Sequence, residues 1–102
     1  MNHKLFQQIS RVVSEHTLVP ESEIFTSSRK QAVVDSRYLI MYISRHLEIK
    51  NIYIQRFFHA AGVEICYGIL FHAFRRIEEG IKNDALTREV VTEIISQLKP
   101  NL

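Results

Sequence analysis

The run Lys30-Gln31-Ala32-Val33-Val34-Asp35-Ser36-Arg37-Tyr38-Leu39-Ile40-Met41-Tyr42-Ile43-Ser44-Arg45-His46-Leu47 decides the fold class. Val33, Ile40, Ile43 and Leu47 fall on one side at helical spacing, and Leu39 and Tyr42 widen the stripe. The pattern predicts an amphipathic helix over about Lys30 to Leu47. Ahead of it, the polar stretch Thr26-Ser27-Ser28-Arg29-Lys30 predicts a loop in which one serine caps that helix.

Working toward the N-terminus, Leu5, Ile9 and Val12 share a face with Phe6 and Val13 beside them, which predicts a first helix ending near His16 and Thr17. Pro20 to Phe25 reads as a short helical turn with proline in its first position, where a missing N–H costs nothing. Toward the C-terminus, a helix from Lys50 or Asn51 to Ala60 buries Ile54, Phe57 and Phe58. Ala61-Gly62 breaks it, because glycine adopts the left-handed conformation that ends helices. A longer helix is expected from Val63 to about Lys82, terminated near Gly80 or Asn83. Asp84 then N-caps a last helix with a stripe of Leu86, Val90, Ile94 and Leu98, stopped by Pro100. The β-branched residues Val90-Val91-Thr92 and Ile94-Ile95 oppose this last helix locally, but the spacing outweighs them. The expectation is one all-α domain of about six helices spanning residues 1–102.

Composition agrees. At 102 residues with 46% hydrophobic and 24% charged side chains, the chain suits one globular core. Three glycines and two prolines are too few for a turn-rich β sandwich. No 18-residue apolar run is present, so no membrane span is expected, and the N-terminus lacks the pattern of a secretory signal. The lone Cys66 excludes an internal disulfide and suits a cytoplasmic setting. It reads as a buried, inert thiol, and His72 as a core or near-core histidine. His3, His16, His46, His59 and His72 show no metal-ligand spacing, and no glycine-rich phosphate loop is present. No enzyme activity, metal or cofactor is therefore expected.

Alone, the two helices flanking Ala61-Gly62 form a helix-turn-helix candidate of a kind common in helical bundles. Ser28-Arg29-Lys30, Val34, Ser36-Arg37, Met41-Tyr42, Arg45 and Leu47 carry a more specific resemblance. Their spacing is similar to that of the helix opening the C-terminal domain of the bacterial replication initiator DnaA. Val12-Val13, Val19-Pro20 and Ile24 resemble the first helix and short second turn of that family. Ile54, Arg56 and Phe58 resemble its helix before the turn, and His72-Ala73-Phe74-Arg75-Arg76-Ile77-Glu78 its histidine-alanine-isoleucine-arginine-lysine-isoleucine-glutamate run. The likeness is collinear from about residue 5 to 98. It implies a helix-turn-helix bundle of the Trp-repressor and DnaA C-terminal type that binds double-stranded DNA in a replication-associated or regulatory role. It departs from the family at Ala60 to Ile69, where the polar base-reading residues are replaced and roughly one helical turn is added. Standard DnaA-box recognition is not expected to carry over.

The charge distribution suits the DNA expectation. The net charge is only +2, yet Arg29, Lys30, Arg37, Arg45, Lys50 and Arg56 face only Asp35 and Glu48 within their span. The resemblance places Arg29 in the minor groove, where negative potential favours a guanidinium, with Lys30 on a phosphate beside it. Arg37 and Arg45 read equally as phosphate contacts or as solvated helix faces. Lys50 and Arg56 are candidate backbone contacts, Glu64 an acceptor for cytosine, and Tyr67 a hydroxyl donor with packing as its competing role. The segment Val63 to Phe74 is apolar nearly all round. Leu70, Phe74 and Ile77 supply a core face. The remainder suggests a rival use, a homodimer or protein partner engaged through Ile65, Cys66, Tyr67 and Ile69.

Overall fold

Helical periodicity governs residues 2–98, which the computed structural model describes. Six helices follow one another: α1 (Asn2–Thr17), α2 (Glu21–Ile24), α3 (Gln31–His46), α4 (Asn51–Ala60), α5 (Tyr67–Asn83) and α6 (Ala85–Leu98). No strand occurs among the described residues, so the fold is all-α. Helix α3 is central and packs against every other helix. Its Val33, Leu39, Ile40, Met41 and Ile43 are buried with Phe6, Ile9 and Val13 of α1, Ile54 and Phe58 of α4, and Leu70, Ala73 and Ile77 of α5. Each of these side chains apart from that of Ala73 contributes about 1.5–3 kcal/mol of hydrophobic stabilisation. Ser10 and Ser36 are buried on α1 and α3, which pack together. Their hydroxyls donate back to the Phe6 and Ala32 carbonyls at 2.9 and 2.8 Å, so neither polar atom is stranded.

Helices α3 and α4 end with the same backbone device. After α3, the Ile49 amide donates to the Ser44 carbonyl and the Glu48 amide to that of Arg45, both at 3.0 Å. After α4, the Val63 amide donates to Phe58 at 2.9 Å and the Gly62 amide to His59 at 3.0 Å. Both are paired-bond caps that require a left-handed residue. Gly62 supplies it at φ 101°, and Glu48 at φ 69°. The residue after each, Ile49 or Val63, then turns into the core.

Several sequence expectations shift. Pro20 sits at the N-cap of α2 with ψ 144° and is not its first helical residue. Its carbonyl accepts the Glu23 and Ile24 amides at 2.9 and 3.0 Å. No serine caps α3, whose N-cap is Lys30 without a side-chain bond. Leu86 is 67% exposed, and the inner face of α6 is Val91, Ile94 and Leu98. A strict four-residue stripe drifts about 40° per step, so Leu86 has rotated out of the face that buries Leu98. Asp84 does cap α6: Oδ1 accepts the Leu86 amide at 3.2 Å and Oδ2 the Thr87 hydroxyl at 2.8 Å. These bonds, the hydroxyl's first, hold its carboxyl below the ordinary aspartate value. Gly80 lies inside α5, where a Cβ would stand 2.9 Å from Thr87 Cγ2. Pro100, expected to stop α6, lies outside the described residues.

Candidate nucleic-acid interface

The loop between α2 and α3 is polar in sequence, and its own polar groups organise it. The Thr26 hydroxyl donates to the Glu23 carbonyl at 2.7 Å and accepts the Ser28 amide at 3.2 Å. The Ser28 hydroxyl accepts the Lys30 amide at 3.2 Å, so this serine shapes the loop where a helix cap was expected. Beneath the loop, the Arg37 guanidinium donates to three carbonyls: Nη1 to Ile24 at 3.2 Å and Thr26 at 2.9 Å, and Nη2 to Ser28 at 2.7 Å. Burial pulls its pKa below the usual arginine value, partly offset by Tyr38, and it stays protonated at neutral pH. Arg29 and Lys30 are left exposed on the braced loop. Lys30 Nζ lies 3.9 Å from Glu23 Oε1, a surface pair worth little.

The α4–α5 turn lies against this loop. A Cβ on Gly62 would sit 4.0 Å from the Phe25 carbonyl oxygen. The Phe25 and Phe58 rings are 5.4 Å apart below. Residues 63–66 are not helical, and Cys66 is extended at the N-cap, so α5 begins at Tyr67 and not at Val63. The side chains alternate: Val63 and Ile65 are buried, Glu64 and Cys66 exposed. An extended segment turns successive side chains to opposite faces, which lets two apolar groups reach the core. Gln55 Nε2 donates to the Ile65 carbonyl at 3.3 Å, and Glu64 pairs with His59 across the turn.

These placements correct three expectations. Ile65 belongs to the core and cannot form part of a partner surface. Cys66 is an exposed thiol. His72 is exposed and meets the Tyr38 ring edge-on, with centroids 5.6 Å apart.

The six basic candidates do not form one patch. Arg29 and Lys30 precede α3, whereas Arg45 is in its last turn and Lys50 follows it. Helical rise puts the two ends of α3 about 22 Å apart. Arg45 shares a shallow cleft with Tyr42, His46, Phe74 and Glu78. Burial, then the Glu78 charge, raises the Tyr42 pKa. Lys50 is the exposed N-cap of α4, and the Arg56 guanidinium lies 5.9 Å over the Tyr53 ring.

On α5, Tyr67 and Phe71 pack edge to face at 4.7 Å while remaining 51% and 55% exposed. Phe71, His72 and Arg75 continue the exposed side that begins at Gly68. Sequence reasoning took in Phe71 only as the end of the apolar Val63–Phe71 stretch offered to a protein partner, and it missed His72 and Arg75 because it started the helix four residues early. The three-and-four spacing of residues 68, 71, 72 and 75 was the available signal.

Among the described residues, no three His, Cys, Asp or Glu side chains cluster to hold a metal ion. No helix among them is long and apolar enough to cross a membrane. No protein-family model matches the chain, and no curated protein matches it significantly.

Proposed function

We propose that this chain is a double-stranded DNA-binding module. Arg29 and Lys30 contact the minor groove and its phosphates, and the exposed side of α5 enters the adjacent major groove. The observation that carries this reading is a braced loop with two exposed cations, whose first residue, Phe25, lies against the turn between α4 and α5. The resemblance to the DnaA C-terminal domain supports it, together with a replication-associated or regulatory role and a cytoplasmic location. Catalysis is not part of the reading. Tyr67 stands at the start of α5, where recognition helices meet base edges. Glu64 must leave His59 before it can accept from cytosine.

Fluorescence anisotropy with mixed-sequence duplexes at low and moderate salt tests this reading. Affinity should fall with salt, and Arg29→Ala should weaken binding and lower the salt slope by about 0.9. Binding that ignores salt, or no binding at low salt, would sink it.

A second reading has its own observation. Tyr67, Ile69 and Phe71 place three large apolar side chains, 38–55% exposed, on one short stretch of α5. As a protein-binding or dimerising surface it is probed by Phe71→Glu, because Ile65 is buried. Light scattering that reports a monomer before and after the substitution would exclude self-association.

A further inference from the structure

The loop that carries Arg29 and Lys30 has no helix or strand of its own, yet two of its carbonyls and that of Ile24 at the end of α2 converge on one side chain. We infer that Arg37 is a positioning residue for the basic loop, acting on DNA through Arg29 and Lys30 without touching it. This inference rests on the DNA-binding reading above.

Two physical effects follow from the geometry. The carbonyls of Ile24, Thr26 and Ser28 turn inward to the guanidinium. Their negative ends therefore face away from any polyanion at the loop's outer rim, where the two cations stand. The loop is also ordered before it meets a ligand, so less conformational freedom is lost on binding. The planar fork meets the three carbonyls from two nitrogens held at fixed angles. Lysine offers one point charge on a flexible stem and cannot replace it. Arg37 is thus a cation whose effect on affinity depends on shape and not on charge. That separates it from Arg29, for which the charge itself is the contact.

The test is the charge-preserving variant Arg37→Lys, with Arg11→Lys on the exposed side of α1 as the control. Amide exchange by NMR should accelerate at Ser28 and Lys30, whose N–H groups donate to loop hydroxyls, and stay slow in the middle of α3. The folded variant should bind duplex DNA about tenfold more weakly although its charge is intact. Arg11→Lys should change neither reading. Should Arg37→Lys fail to fold, Thr26→Val loosens the same loop from its other side and should give the same two shifts. Unchanged exchange at Ser28 and Lys30 would overturn the inference. So would faster exchange with undiminished affinity while Arg29→Ala still weakens binding. A wild-type protein that ignores duplex DNA at low salt overturns the DNA reading and the binding role together. The exchange data would then still report whether Arg37 orders the loop.

Discussion

The connection from α2 to α3 and the connection from α4 to α5 lie against each other, yet different parts of the chain hold them. The first is braced by side chains: Thr26 and Ser28 within the loop, Arg37 beneath it. The second is locked mainly by backbone, with paired amide bonds closing α4 around Gly62 and two apolar side chains tucked below. A loop braced by side chains can present charge in a fixed place, but one substitution can release it. A turn locked by backbone tolerates changes of side chain and not of conformation.

Phe58 is the floor under both connections. It is fully buried, packs on the Phe25 ring, and its carbonyl receives the Val63 amide. Phe58→Ala should cost about 3–5 kcal/mol, a large share of the 5–15 kcal/mol a domain has. Urea denaturation measures the loss, and a cost below 1 kcal/mol would mean the two connections do not share a floor.

The next comparison is between the two left-handed caps. Gly62→Ala meets open space apart from the Phe25 oxygen at 4.0 Å, so its cost is conformational, about 1–2 kcal/mol. Glu48→Gly should go the other way and stabilise by about 0.5–1 kcal/mol, because a side chain is removed from a left-handed position. Destabilisation by Glu48→Gly would show that the two ends are alike in geometry only.

The smallest effect belongs to Asp84, a junction held by side-chain bonds like the first loop. Its folded pKa is depressed by the Thr87 hydroxyl and the Leu86 amide. Its contribution is therefore present above the unfolded aspartate value and is lost as pH falls through the folded one. The melting-temperature gap between wild type and Asp84→Ala should close across that acid window. The gap between wild type and Gly62→Ala should not. A pH-independent Asp84 gap would argue against the carboxylate as the cap.

The same contrast explains what was legible beforehand. Helices α1, α3 and α4 announce themselves by long apolar stripes, and Gly62 announces its cap by residue type. The cap at Glu48 was invisible, because nothing in a glutamate advertises a left-handed backbone. The segment Val63 to Cys66 was misread because continuous apolar composition suits both a buried helix and an extended segment. Its in–out alternation, with Glu64 between Val63 and Ile65, was the only clue. Arg29 and Lys30 were correctly placed on an exposed loop. Arg37 carried the same charge pattern, and only the convergence of three carbonyls separates a brace from a surface cation.

The near absence of space between Gly80 and Thr87 bears on the order in which the chain assembles. Helices α5 and α6 meet across a junction of one residue, so their contacts close short loops at small entropic cost. Helix α1 reaches α6 only across most of the chain, as where His16 Nε2 and Gln97 Oε1 stand 3.2 Å apart at a separation of 81 residues. We expect the α5–α6 hairpin to form ahead of the folding barrier and α1 to dock behind it. Gly80→Ala should then slow refolding, whereas Ile9→Val should mainly speed unfolding in stopped-flow measurements. The reverse assignment of rates would refute this order. On this route the helix that opens the fold waits for the one that closes it.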